Sequence, residues 1–175
     1  MINIIVIGAG IIGSTVFYEL TKQVPHVHLF EKQASAGLDI TGHNSAIVHS
    51  GVDPLPNTLK AKYNVMGQAM YEAYAQELET PFKRIGAFEV AKNQSECAHL
   101  DELEERALTR KIFVQRFDKD EALLREPNLN PNIVSVLDMP TTAIVDPTHL
   151  SSQAIKKGIE KGGIAHFSEA IVSEV

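Results

Sequence analysis

The segment Ile2–Ile7, INIIVI, runs directly into Gly8-Ala9-Gly10-Ile11-Ile12-Gly13. No other feature restricts the fold as much. A β-branched apolar run of this kind predicts a strand buried on both faces. Gly8 and Gly10 break it. From Ile11 to Lys22 the apolar residues Ile12, Val16, Phe17 and Leu20 recur at helical spacing, and Pro25 blocks continuation. Val27–Phe30 is a second short strand ending at Glu31. Strand, helix and strand within about 30 residues predict a parallel pair joined by a right-handed crossover.

The glycines are G-x-G-x-x-G, placed after a strand and at the start of a helix. Gly8 permits the tight turn, Gly10 lets a pyrophosphate approach the backbone, and Gly13 lets helix and strand pack closely. The helix N-terminus then faces the phosphates. Glu31 follows Gly13 by 18 residues, where a carboxylate can bind ribose hydroxyls. The bland alternatives are a glycine-rich turn without a ligand and, for Glu31 and Lys32, a charged strand end. The motif does not separate FAD from NAD.

A second constellation is Thr41-Gly42-His43-Asn44-Ser45-Ala46-Ile47-Val48-His49-Ser50-Gly51, inside an irregular polar segment from Ala34 to Gly51. Small residues let a flat ring approach the backbone, and Thr41, Asn44 and Ser45 can donate to a phosphate or a ring carbonyl. A loop that merely caps itself through Asx and Ser/Thr turns fits equally well. His49 can take a proton from a hydroxyl at cell pH as a neutral imidazole, or serve as a hydrogen-bonded structural residue. Lys60, Lys62, Glu102, Glu104 and Glu105 read as solvated helix faces, and Cys97 has no chemistry assigned. His26 and His28 share a strand face without carboxylate or Cys companions, so no metal site is expected.

Further along, helices are expected at Leu59–Leu78, Ser95–Thr109, Asp118–Arg125 (capped by Asp118) and about Thr148–Lys161. Strands are expected at Ala87–Ala91, Ile133–Leu137 and Ala170–Val175, with an apolar stretch at Ile164–Phe167. The 175 residues are 44% hydrophobic and 22% charged, a globular composition. A net charge of −6 gives no reason to expect nucleic acid or an anionic membrane as partner. One cysteine fits a reducing, cytoplasmic setting, and no run is long and apolar enough to span a bilayer.

Gly8–Gly13, Glu31-Lys32, Thr41–Gly51 and Pro56–Lys62 together resemble the D-amino-acid-oxidase-like FAD-dependent oxidoreductases. Within that family, Lys83–Gly86, Glu126–Pro131 and Pro140–Pro147 are similar to the glycerol-3-phosphate dehydrogenase/oxidase branch. L-2-hydroxyglutarate dehydrogenases/oxidases share the H-N-S-x-x-x-H-x-G stretch. The resemblance implies an α/β protein: a Rossmann-like FAD-binding domain with part of an α+β substrate domain. It implies FAD as cofactor and a small anionic hydroxy compound as substrate. Gly8, Gly10, Ile12 and Gly13 would wrap the FAD pyrophosphate, and Glu31 would hold the adenosine ribose beside Lys32. Thr41, His43, Asn44 and Ser45 would line the path to the flavin. His49 would stand by the flavin ring as base or substrate orienter, and Val172 would meet adenine through its backbone.

Two departures from the family pattern stand out. Phe17 replaces a usual Ala or Gly, so the first helix is expected to pack differently. Ala46 replaces a usual Gly, which would crowd the flavin side of the loop.

The resemblance divides the chain into residues 1–83, the first part of the FAD-binding domain; 84–145, a partial substrate domain; and 146–175, a return to the FAD-binding domain. Members of the family are much longer, so an N-terminal fragment is expected. The implied reaction is oxidation of sn-glycerol 3-phosphate by hydride transfer to flavin. L-2-hydroxyglutarate oxidation and a non-catalytic nucleotide-binding module are the alternatives. Oxygen, a quinone or a partner subunit all fit as electron acceptor.

Overall fold

The computed structural model describes residues 4–169. In chain order the elements are β1 (Ile4–Ile7), α1 (Ile11–Thr21), β2 (Val27–Glu31), β3 (Ile47–Val48), α2 (Leu59–Glu77), β4 (Phe82–Arg84), β5 (Phe88–Ala91), α3 (Gln94–Thr109), β6 (Gln115–Asp118), α4 (Lys119–Arg125), β7 (Ser135–Asp138), β8 (Ala143–Val145), α5 (Pro147–Glu160) and β9 (Ile164–Phe167). A 3-10 turn covers Ile40–Gly42. They form two compact units. One comprises 4–46, 73–82 and 145–169 of the described residues, and the other Ile47–Glu72 and Lys83–Ile144. Ile47–Glu72 thus groups with the second unit, whereas the resemblance assigns residues 1–83 together to the FAD-binding domain.

In the first unit the sheet order is β1-β2-β9, and both pairings are parallel. Ile4 registers with Val27, and His28 with Ile164. Period-two alternation sends Val27 and Leu29 of β2 into a core with Ala9, Phe17, Ala36 and Ile155. The apolar stretch Ile164–Phe167 is a strand, the third of this sheet among the described residues, paired with β2.

Helices α1 and α5 pack against each other in this core, and Phe17 explains how. Its ring is fully buried, and glycines make room for it. A Cβ at Gly158 or at Gly163 would come within 2.5 Å of the ring. The bulky residue expected to alter the packing of α1 is thus matched by two absent side chains, within α5 and just after it. Asp146 caps α5 by accepting from the amides of Thr148 and His149, with Pro147 in the first turn.

In the second unit β5, β7 and β6 form an antiparallel sheet of order β5-β7-β6. Leu100, Leu103 and Ala107 of α3 bury one core with Val52, Ala91 and Leu137. Phe117, Ala122, Ile133 and Val136 form another. Asn93 caps α3 by accepting from Glu96 N, and Asp118 caps α4 by accepting from Glu121 N. A smaller sheet has the order β3-β8-β4. The strand expected at Ala170–Val175 and the role expected of Val172 lie outside the described residues. Among the described residues no helix is long and apolar enough to cross a membrane.

Candidate cofactor site

The turn between β1 and α1 is built as its glycines require. Gly8 has φ 95°, a conformation that suits glycine. A Cβ at Gly13 would collide with the Gly8 carbonyl, so only glycine lets helix and turn approach this closely. Gly10 is the N-cap of α1 and offers no side chain to the first-turn amides. Thr41 supplies part of what is missing: its Oγ1 accepts from Ile11 N at 2.9 Å. The first turn holds no acidic residue, so the positive end of the helix dipole is not neutralised there.

Glu31 closes the same turn from the end of β2. Its Oε2 accepts from Ala9 N at 2.7 Å and its Oε1 from Gln33 N at 2.8 Å. The residue is 9% exposed, so these bonds form largely away from water. The carboxylate thus ties the glycine turn to the strand end. A carboxylate offers about four lone-pair sites, so both oxygens keep capacity for a ligand hydroxyl.

These groups border a cleft of about 390 Å³. Its walls include Gly8, Gly10, Glu31, Lys32 and Thr41, five of the residues singled out from the sequence. They also include Ile7, Phe30, Asp39 and Glu169, which sequence reasoning did not select. Phe30 had a signal, since it precedes Glu31 and so lies on the opposite face of β2. Glu169 had none: its amide donates to the Glu31 carbonyl, a placement fixed by β9 pairing with β2. The apolar walls suit a flat base, and the glycine turn and helix N-terminus suit a phosphate. The donor set therefore fits the nucleotide part of a dinucleotide.

The other selected residues are not among the cleft walls. The Ile12 side chain is exposed, and Gly13 serves the close helix–turn approach. His43 Nδ1 lies 2.9 Å from the Asp39 carbonyl. Asn44 donates to the Thr41 carbonyl and accepts from Ala46 N, so this part of the loop does cap itself. Ser45 is exposed. Ala46 has φ 59°, the left-handed region that favours glycine, and its carbonyl accepts from Val145 N. His49 belongs to the second unit, directly after β3, and its Nδ1 lies 3.4 Å from Asp53 Oδ2. His28 Nδ1 meets His166 Nε2 at 3.1 Å, and among the described residues no group of three His, Cys, Asp or Glu is placed to hold a metal.

The DAO family, described as FAD dependent oxidoreductase, matches residues 3–175. The chain belongs to this family. It is 33% identical to a glycerol 3-phosphate oxidase of Mycoplasma genitalium over 178 residues, covering 99% of the chain and 46% of that protein. It is 31% identical to a mitochondrial L-2-hydroxyglutarate dehydrogenase of Arabidopsis thaliana, covering 91% of the chain and 33% of that protein. The fold matches an L-alpha-glycerophosphate oxidase of Mycoplasma pneumoniae with FAD bound. The TM-score is 0.89 at 28% identity, over 95% of this chain and 44% of that one. The chain therefore spans less than half the length of these relatives. FAD is the cofactor of the DAO family, and the mixed α/β fold with a parallel sheet is the one its members share.

Proposed function

We propose that this chain carries the dinucleotide-binding part of an enzyme that oxidises a secondary alcohol bearing an anionic group, with sn-glycerol 3-phosphate as substrate and dihydroxyacetone phosphate as product. The observation that carries the reading is the glycine turn at the N-terminus of α1. It is open at Gly10, tied by Glu31 and bordered by Thr41, in a family that is FAD-dependent. The choice of glycerol 3-phosphate is supported by the match to a glycerol 3-phosphate oxidase.

Gly8 and Gly10 would admit the pyrophosphate, and the first-turn amides of α1, including those of Ile12 and Gly13, would donate to it. Lys32, exposed at the cleft, would add a positive charge. Glu31 would accept from the adenosine ribose while keeping its two backbone bonds, and Val172 would meet adenine through its backbone. Thr41, His43, Asn44 and Ser45 would line the path to the ring. When bound, FAD supplies the acceptor for the hydride that leaves the substrate carbon. His49 would take the hydroxyl proton on a neutral imidazole nitrogen, so that the C–O bond becomes a carbonyl.

Anaerobic titration tests this. With FAD bound, glycerol 3-phosphate should bleach the visible flavin absorbance, and His49→Gln should slow bleaching while FAD stays bound. A protein that binds no FAD would sink the reading, and unchanged reduction in His49→Gln would remove His49 from the chemistry. The match to an L-2-hydroxyglutarate dehydrogenase supports a second reading. Faster reduction by L-2-hydroxyglutarate than by glycerol 3-phosphate would decide for it.

A further inference from the structure

Four consecutive backbone carbonyls, those of Gly51, Val52, Asp53 and Pro54, are held by two guanidiniums at the C-terminal end of α3. Arg110 Nη1 donates to the Gly51 carbonyl at 2.6 Å and to the Val52 carbonyl at 2.8 Å, and Arg110 Nη2 donates to the Pro54 carbonyl. Arg106 Nη1 donates to the Asp53 carbonyl at 3.1 Å and is itself paired with Glu102 at 3.2 Å. Arg106 lies in the last turn of α3 and Arg110, four residues on, is its C-cap. The clamped backbone has little alternative path. Gly51 has φ 101°, and a side chain there would press on Val65 and Ile112 at 3.1 and 3.2 Å.

This run begins two residues after His49 and carries Asp53, whose Oδ2 lies 3.4 Å from His49 Nδ1. The two side chains are 55% and 49% exposed, so an unsupported pair would contribute little. The clamp changes that by fixing the Asp53 backbone through forked donors with defined geometry. The arginines are engaged with carbonyl oxygens, which leaves the Asp53 carboxylate to the imidazole.

We infer that Asp53, held by Arg106 and Arg110, is a positioning residue that keeps the His49 proton on Nδ1 and so makes Nε2 the nitrogen that accepts the substrate hydroxyl proton. This rests on the reading of His49 as the base. The physical reason is local: a carboxylate facing one ring nitrogen stabilises the tautomer protonated there, which leaves the lone pair on the other.

The test reads the tautomer directly, without turnover. The full chain is labelled with ¹⁵N-histidine and its imidazole signals are recorded at a pH above the imidazole range, with His49→Gln identifying the His49 signal. Asp53→Ala should lower the ratio of Nδ1–H to Nε2–H tautomer about threefold, in line with an exposed charge pair. Asp53→Asn, which keeps an oxygen acceptor, should recover part of it. Arg110→Gln should lower the ratio with Asp53 still present, and Arg106→Gln, which removes one of the four bonds, should do so more mildly in a folded chain. An unchanged ratio in Asp53→Ala overturns the role of Asp53. A fall in Asp53→Ala with no change in either arginine variant overturns the clamp. Flavin reduction that survives His49→Gln sinks the base reading separately, since the tautomer ratio does not depend on it.

Discussion

Replacing Glu31 by Gln exchanges one carboxylate oxygen for an amide NH₂ and leaves the shape of the side chain intact. In the structure both oxygens are used, one by Ala9 N and one by Gln33 N. Gln has a single acceptor oxygen. Whichever way its amide turns, one backbone N–H must face another donor. A hydrogen bond to a charged group contributes about 1.5–3 kcal/mol, and a buried donor left unpaired costs about 1–3 kcal/mol. These describe the same broken bond, so Glu31→Gln should cost about 2–3 kcal/mol. For a chain of this length that lowers Tm by about 4–12 °C. The assay is urea denaturation of the FAD-free protein, followed by far-UV circular dichroism. The expected outcome is a lower midpoint with an unchanged slope. If stability without FAD stays within about 0.5 kcal/mol of wild type while FAD affinity alone falls, the reasoning is refuted: the carboxylate would then serve the ligand and not the turn.

Three further outcomes can be checked on the same protein. Gly158→Ala should destabilise by up to about 2 kcal/mol, because the collision with Phe17 outweighs the gain in helix propensity; in a Phe17→Ala background it should instead stabilise by about 1 kcal/mol, and equal effects in the two backgrounds would break the account. Ala46→Val should cost about 1–3 kcal/mol in thermal unfolding, because a β-branched residue is forced into the left-handed region, whereas Ala46→Gly should be nearly neutral. Tyr18 is pushed up from 10.0 to about 12, first by burial and then by its bond to Glu77. The folded state holds that proton more tightly than the unfolded state, so the contribution is full below pH 10.0 and is lost as pH rises towards about 12. Burial pushes Tyr71 and Tyr74 up as well, so an ultraviolet phenol titration should show several late tyrosines, of which the Tyr18 step moves down in Glu77→Gln.

The parts of the fold legible in the sequence are those encoded by local rules. The β1-α1-β2 order follows from apolar runs and a glycine turn, but β1 is not buried on both faces and the buried face of α1 is not the expected one: Ile5, Ile7, Ile12 and Val16 are exposed, while Ser14, Phe17, Tyr18 and Thr21 are buried. Asp118 before α4 is a cap readable from position alone. The strands not anticipated are short or polar: β3 has two residues, and β6 is Gln-Arg-Phe-Asp, where only Phe117 is buried. Their identity comes from partners distant in sequence. The candidate site divides in the same way. Gly8, Gly10 and Glu31 were legible because backbone conformation or strand-end position selects their residue types, and Thr41 only as one hydroxyl in a polar loop. That Glu31 spends both oxygens on backbone amides was not, since those donors are placed by the tertiary fold. Asp53 lies four residues from His49, close enough to be noticed, but the grip of Arg106 and Arg110 on its backbone has no local signature. Ala46 was legible only as a departure from a pattern, and its φ gives the departure a physical meaning.

The pairing of β2 with β9 has a consequence for how the molecule comes into being. A strand ending at Glu31 must wait for one beginning at Ile164, so the first sheet closes over more than a hundred intervening residues. The β5-β7-β6 sheet needs nothing beyond Asp138. During synthesis from the N-terminus the second unit can therefore consolidate first, while β1, α1 and β2 wait for α5 and β9. Closing so long a loop costs entropy that grows only slowly with length, and less still once the interior of the loop is already folded. On this order of events the nucleotide cleft, which also needs Glu169, forms after the β5-β7-β6 sheet.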